Sequence, residues 1–510
     1  MHATTLAARG ASGSGFRLTV YAVTLLLVAV IAIEAVNIAF YDPWGDEYFL
    51  FRLQGVLDGV SMVTLTWVMF GSLFVLLMAG LPLAFVAGGL GVIFLYLVGD
   101  SEMLNIVPSR IFPMMTNPDL AAIPLFIFMA TMLERAGLIE EMFDAVYQWM
   151  GALRGGLAVA TILASTILAA MVGVVGAAIV TMGIIALPAM LKRNYDKQIA
   201  LGSIMAGGAL GVLIPPSILA ILYAVVAQQS VGELYSGSVM PGLLLSGMYI
   251  AYVLLRALAN PAVSPAVPQA ERLNLTAKLV LLRGLIAPIL LVVTVLGLLF
   301  TGVATPVEAA GLGSFGAIIV ALLHRRLTLD GLIQASISTV KATTMVLWII
   351  FGASIFVGLY ILKGGQTFIT ETLLGTGLSP YGILFLMMLL LIILGMFLDW
   401  VGILLLAVPI FVPIIKQLTF DGLFGLPGPA PDQVLIWFGV LYLVNMQMSF
   451  LSPPFGYALF YIRGVAPATI SMATIFRSSL VFLVIQVLAL ALVVVFPALA
   501  TWLPGLIYGR

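Results

Sequence analysis

The 510-residue chain contains no cysteine and only two histidines, and charged residues make up 8% of it. Without thiols there are no disulfides, no thiolate metal sites and no cysteine nucleophile. His2 sits in a Ser/Ala/Gly-rich stretch and His324 in His-Arg-Arg, which leaves no histidine metal site or proton relay. The 21 basic and 21 acidic residues cancel, and no basic run occurs, which argues against nucleic acid as a partner. No Gly-x-x-x-x-Gly-Lys-Ser/Thr loop is present, so ATP-driven transport is disfavoured. A paired catalytic set (Ser/His, two Asp, His/Glu metal ligands) is also missing, which disfavours an intramembrane enzyme.

What the chain has instead is apolar surface: 63% of its residues are hydrophobic. A soluble domain carries about a quarter charged residues, so this is an integral membrane protein. A spanning helix needs roughly 20 apolar residues. Candidates lie near 18–40, 64–98, 120–133, 153–171, 200–226, 238–259, 280–301, 305–323, 340–362, 379–398, 434–461 and 475–500. The stretch 64–98 is interrupted at Gly80-Leu-Pro82 and reads as two short helices. Segments 172–191 and 395–415 have the right length to span, and their Gly and Pro content also suits two short helices that enter and return on the same side. The run 18–40 is too long for a signal peptide and lacks a small-residue cleavage site, so it reads as a retained helix. Arg9 and Arg17 precede that run, and Asp42, Asp46 and Glu47 follow it. The positive-inside rule then puts the N-terminus, Lys192-Arg193 and His324-Arg325-Arg326 in the cytoplasm.

The most informative feature is an internal repeat. Gly211-Val-Leu-Ile-Pro-Pro-Ser217 and Ser449-Phe-Leu-Ser-Pro-Pro-Phe455 align with an offset of 238 residues. Proline has no N–H and clashes with the preceding turn, so a pair of prolines breaks a helix. At membrane depth a break survives only where its freed backbone groups face protein, water or a bound ion. Matched breaks in two halves point to a transporter's binding site. Each half also places a Gly-containing apolar turn and a proline-marked helix upstream of its break: Met171–Lys192 with Pro188, and Leu394–Lys416 with Pro409 and Pro413. A channel would instead show pore-lining rings from an oligomer. The expected fold class is an all-α polytopic membrane protein with inverted repeats, two re-entrant helical hairpins and two Pro-Pro-broken helices. The expected layout is 1–60 for the N-terminal tail, an extra helix and an acidic loop. The first repeat takes 61–260, a polar linker 261–279 and the second repeat 280–510.

These residues carry a family resemblance. Gly173–Arg193, Ile-Pro-Pro-Ser (214–217), Gly395-Met-Phe-Leu-Asp-Trp400 and Phe450-Leu-Ser-Pro-Pro-Phe-Gly456 resemble the large membrane subunit of tripartite ATP-independent periplasmic (TRAP) transporters. The resemblance runs from about Trp67 to the C-terminus and is nearest the mannitol/chloroaromatic branch, which includes 2-oxoacid carriers. It implies a sodium-coupled elevator in the bacterial inner membrane that imports an organic anion. It also implies a small four-helix membrane subunit and a periplasmic binding protein as partners. No cofactor is implied beyond sodium as the coupling ion. The alternative is a sodium- or proton-coupled anion transporter of related fold that works without a binding protein. Two departures stand out. The first hairpin turn is Val172-Gly173-Val174, where many members have Ser-Gly-Ser, and their Asp position is Ala178. The helix 18–40 resembles the connecting helix of fused small–large forms.

Two cation sites are expected. Site one joins Gly173, Val174 and Gly176 to Gly211, Ile214, Pro216 and Ser217; the resemblance implies backbone oxygens at 211, 214 and 216. Site two joins Asp399 and Gly402 to Ser449, Ser452 and Pro454. Ser217, Asn445, Gln447 and Arg463 are the candidates for substrate. Alternatives stay open at several of them. Asp399 and Ser217 suit ligands or helix caps. Asn445, Gln447 and Ser449 suit a site or interhelical hydrogen bonds, and Arg463 suits an interfacial position or a carboxylate contact.

Overall fold

The computed structural model describes residues 55–99, 101–173, 175–454 and 456–509, with isolated positions at 25, 29 and 36. Apart from those three helical positions, the expected helix at 18–40 and its flanking charges fall outside the described residues, as does Val174. Twenty α-helices and no strand occur among the described residues. Seven of the helices are long and apolar enough to cross a membrane.

Polar caps start many of these helices, as they must where lipid offers the first-turn N–H groups nothing. Ser61, Asp196, Ser230, Asn274, Ser379 and Ser471 each accept a hydrogen bond from the first turn that follows them. Thr305 and Glu308 form a full capping box with Pro306 at the first helical position.

The chain divides into two compact units. One takes the described residues up to Thr116 and returns for Leu347–Leu373. It contains α1 (Met62–Met78), α2 (Leu83–Val98) and α3 (Ile106–Met115). Gly80, at φ +88°, makes the expected break between α1 and α2. Here Gly352 meets Gly88: a methyl on Gly352 would sit 2.5 Å from the Ala84 carbonyl, the close backbone approach that small residues permit in membranes. Phe70 packs edge-on against Phe356 and Tyr360, at 5.5 and 5.2 Å. Lys363 closes one end on Asp58 and the Val98 carbonyl, at 3.2 and 3.1 Å.

The second unit holds Asn117–Val346 and Leu374–Arg510. Its first half runs α4 (Ala122–Arg135), α5 (Leu138–Met150), α6 (Gly156–Val172), α7 (Val175–Lys192), α8 (Lys197–Ala209), α9 (Ile218–Ala227) and α10 (Val231–Ala259). After the linker come α11 (Leu275–Phe300), α12 (Pro306–Leu323) and α13 (Leu329–Leu362), with the unit boundary inside α13. Beyond α14 (Gly365–Leu374) the chain continues through α15 (Pro380–Gly395), α16 (Trp400–Ile415), α17 (Val434–Leu451), α18 (Tyr457–Val465), α19 (Met472–Val495) and α20 (Ala498–Tyr508). α17 is buried on every side except at Leu435, as an all-round apolar helix should be.

Of the two readings of segments 172–191 and 395–415, the one with two short helices is corrected: each holds a single helix, Val175–Lys192 and Trp400–Ile415. Each is the second arm of a hairpin: α6 turns at Gly173 into α7, and α15 turns at residues 396–399 into α16. Pro188 lies inside α7, and Pro409 and Pro413 lie inside α16. A proline within a helix removes one hydrogen bond, which packed neighbours compensate in membrane helices. Both arms of the second hairpin have 16 residues, about 24 Å each, short of the ~30 Å hydrocarbon core.

The linker is tied down. Backbone N–H groups of Gly155 and Asp196 donate to Ser264 and Val263, at 2.9 and 2.8 Å, and that of Val267 donates to Gly151 at 2.9 Å. Glu271 pairs with Arg193.

Candidate functional site

The first break lies between α8 and α9. Helix geometry asks residues 215 and 216 to donate to the carbonyls of Gly211 and Val212. Both are prolines and cannot. The Ser217 hydroxyl serves the Val212 carbonyl instead, at 2.6 Å. Among the described residues no N–H donates to the Gly211 carbonyl. The second break repeats this between α17 and α18: Pro453 and Pro454 free the carbonyls of Ser449 and Phe450, and Ser449 likewise has no described backbone donor. Gly211 and Ser449 are the positions that the 238-residue offset aligns. Both proline–proline peptide bonds are cis.

Each hairpin turn reaches a break. Gly173 has φ +59°, and a Cβ there would lie 2.5 Å from the Pro216 carbonyl oxygen, so only glycine lets the turn come this close. In the second hairpin, a Cβ on Gly395 would lie 1.9 Å from the Ser449 hydroxyl. The hairpins also cross over. α7 of the first hairpin packs on α18, past the second break, where Gly176 meets the ring of Tyr461 and Gly183 meets Val465. α16 of the second hairpin packs on α9, past the first break. Each hairpin therefore touches half of both broken helices.

Ser217 is buried, caps α9 by accepting from the Ala220 N–H at 3.4 Å, and donates to Val212. A hydroxyl has two lone pairs, so one remains for a ligand. The Ser217 carbonyl accepts from Tyr235 at 3.1 Å. Ile214 is buried at the break, and Gly176 lies in α7, two residues beyond Val174. Asp399 caps α16, its Oδ2 accepting from the Val401 N–H at 3.2 Å. Gly402 is buried within α16. Ser452 is buried and donates to the Met448 carbonyl at 2.7 Å, while Pro454 is exposed. Arg463 is exposed and donates to the Ile470 carbonyl, which agrees with the interfacial alternative.

The polar residues of α17 differ from these. Asn445 donates to the Met388 carbonyl at 2.9 Å, but its Oδ1 is buried without a partner. Both amide atoms of Gln447, the Ser449 Oγ and the Tyr442 hydroxyl are likewise buried and unpartnered among the described residues. Buried polar groups ordinarily have partners, so these atoms are candidates to meet water or a ligand. Tyr442 and Gly395 were not among the sequence candidates. A tyrosine in an apolar run carries no signal, and Gly395 becomes significant only through its contact with Ser449.

Residues 70–499 match the family model described as the tripartite ATP-independent periplasmic transporter, DctM component. The chain belongs to the DctM family. Its members are transporters, so this DctM-family chain is a TRAP large permease and a multi-pass membrane protein, not an enzyme. It is 29% identical over 455 residues to the C4-dicarboxylate TRAP transporter large permease protein of Rhodobacter capsulatus, covering 86% of this chain and 99% of that one. It is 29% identical over 439 residues to the isethionate TRAP transporter permease protein DctMQ of Oleidesulfovibrio alaskensis, covering 86% and 66%. The crystal structure of the Alcanivorax borkumensis YdaH transporter aligns with a TM-score of 0.57 at 15% identity, over 84% of this chain and 98% of that one. At that identity the likeness is one of fold.

Proposed function

We propose that this chain is the large permease of a sodium-coupled transporter that imports an organic acid anion of the carboxylate or 2-oxoacid type. A periplasmic binding protein delivers the anion, and a small four-helix membrane subunit completes the assembly in the bacterial inner membrane, with the N-terminus in the cytoplasm. The carrying observation is the matched pair of carbonyls, Gly211 and Ser449, that lack helical donors beside two hairpin turns. Hard oxygen ligands of this kind suit a small cation. Site one uses the backbone of Gly173, Val174, Gly176, Gly211, Ile214 and Pro216 with the spare lone pair of Ser217. Site two uses Asp399, Gly402, Ser449, Ser452 and Pro454. The unpartnered NH2 group of Gln447 donates to the anion, and Asn445 and Ser217 join it by turning their donors from Met388 and Val212 toward it; Arg463 donates to Ile470.

The two repeats are inverted in this reading, and the hairpins with their broken helices move together as an elevator. The relatives' named substrates, C4-dicarboxylate and isethionate, support an anionic cargo. Reconstitution into liposomes with its small subunit and periplasmic binding protein tests the proposal. Uptake should need both an inward sodium gradient and the binding protein. Uptake without the gradient sinks sodium coupling. Sodium-driven uptake without the binding protein favours the alternative transporter type.

A further inference from the structure

The loop between α16 and α17 has no counterpart in the first half of the chain. It is anchored at its base. Phe420 is buried and packs edge-on against Trp437 and Tyr381, at 5.1 and 5.3 Å. The Tyr381 hydroxyl donates to the Asp421 carbonyl at 2.6 Å. The loop then folds on itself so tightly that a Cβ on Gly422 would lie 1.3 Å from the Leu426 carbonyl oxygen, and one on Gly428 2.0 Å from that of Phe420. From this rigid base projects Phe424, 87% exposed and at φ +55°. That backbone region is one that bulky L-residues rarely adopt, and such outliers gather at ligand clamps and switch regions.

We propose that Phe424 is the anchor of a docking knob for the soluble periplasmic component, filling an apolar pocket on that protein. The proposal rests on the function reading above, which gives this transporter a binding protein and puts the loop on the side opposite Lys192. Exposed aromatic anchors are typical interface hot spots, and a pre-shaped loop lowers the entropy lost on docking. Charge selects a protein over lipid. Between Lys416 and Arg463 there is no Lys or Arg, and Asp421 and Asp432 flank the tip. Membrane-surface anchors carry basic residues, and an anionic bilayer repels acidic ones. The pocket's rim on the partner is therefore basic.

The test is uptake by the reconstituted transporter, titrated with its purified periplasmic binding protein. Phe424→Ser should raise the half-saturating concentration of binding protein at least tenfold. Maximal rate, half-activating sodium and melting temperature should stay unchanged, and Phe424→Tyr should behave like the wild type. A binding-protein-dependent wild type with an unshifted Phe424→Ser variant overturns the docking knob alone. A wild type that ignores the binding protein overturns the function reading and, with it, this one. A Phe424→Trp variant distinguishes lipid: extra fluorescence quenched by brominated lipid in nanodiscs without binding protein would assign the tip to the membrane instead.

Discussion

The two helix breaks are alike in backbone and unlike in side chains. Around the first, residues 211–220 are all buried, the hairpin turn is closed by a glycine on a carbonyl, and the Ser217 hydroxyl is already engaged. Around the second, Pro454 is exposed, a carboxylate stands at the hairpin turn, and α17 presents polar atoms without partners. The first break offers backbone carbonyls in a sealed setting; the second adds a carboxylate and polar side chains. One repeated scaffold thus presents two different sets of oxygen groups, which the proposed function takes as a backbone-dependent and a side-chain-dependent cation site.

The comparison fails at once if the two halves are not inverted. The chain has no cysteine, so Lys192→Cys and Asp421→Cys variants can each be labelled alone. The first should react only from the cytoplasm and the second only from the periplasm. Labelling of both from the same side would refute the inversion.

Next in size is the closure of the first turn. Gly173→Ala places a Cβ in a left-handed conformation, at about 1–2 kcal/mol, and against the Pro216 carbonyl, so uptake should fall at least tenfold with expression retained. Gly395→Ala should fall comparably, but Ser449→Gly should partly rescue it, because its clash is chiefly with a side chain. Equal rescue failure would show that the second turn is as backbone-bound as the first.

Asp399→Asn separates cap from ligand. Asparagine caps as well as aspartate, so the melting temperature should hold while the half-activating sodium concentration rises about tenfold, equivalent to ~1.4 kcal/mol. Unchanged sodium activation would leave Asp399 as a cap only.

The smallest effects compare two polar side chains. Ser217→Ala should cost about 0.5–2 kcal/mol of stability through the lost cap, read as a lower melting temperature, with a small rise in half-activating sodium because site one keeps its backbone oxygens and loses one lone pair. Gln447→Leu should leave the ligand-free melting temperature unchanged or raised, since an unpartnered buried amide costs free energy, while KM for the anion rises. A stability loss in Gln447→Leu would mean that its amide bonds within the fold.

Much of this was legible without coordinates. The paired prolines announced both breaks because proline's missing N–H acts on its own chain, four residues away. Ser217 and Asp399 were readable as caps for the same local reason. The arms of the hairpins were read less well. Pro188, Pro409 and Pro413 marked helices in the sequence, and each helix runs on through them, longer than the short arms expected.

By itself, then, the sequence determined a membrane protein with a twice-used broken-helix motif, since hydrophobic content, helix-breaking chemistry and capping are properties of short segments. Only the tertiary structure decided that each hairpin grips the far half of the other repeat's broken helix. It also decided that Gly395 meets Ser449, and that the Tyr442 hydroxyl and the Gln447 amide are buried without a partner among the described residues. Apolar burial is non-directional, so a run of Leu, Ile and Val says that it will be covered without saying by which helix.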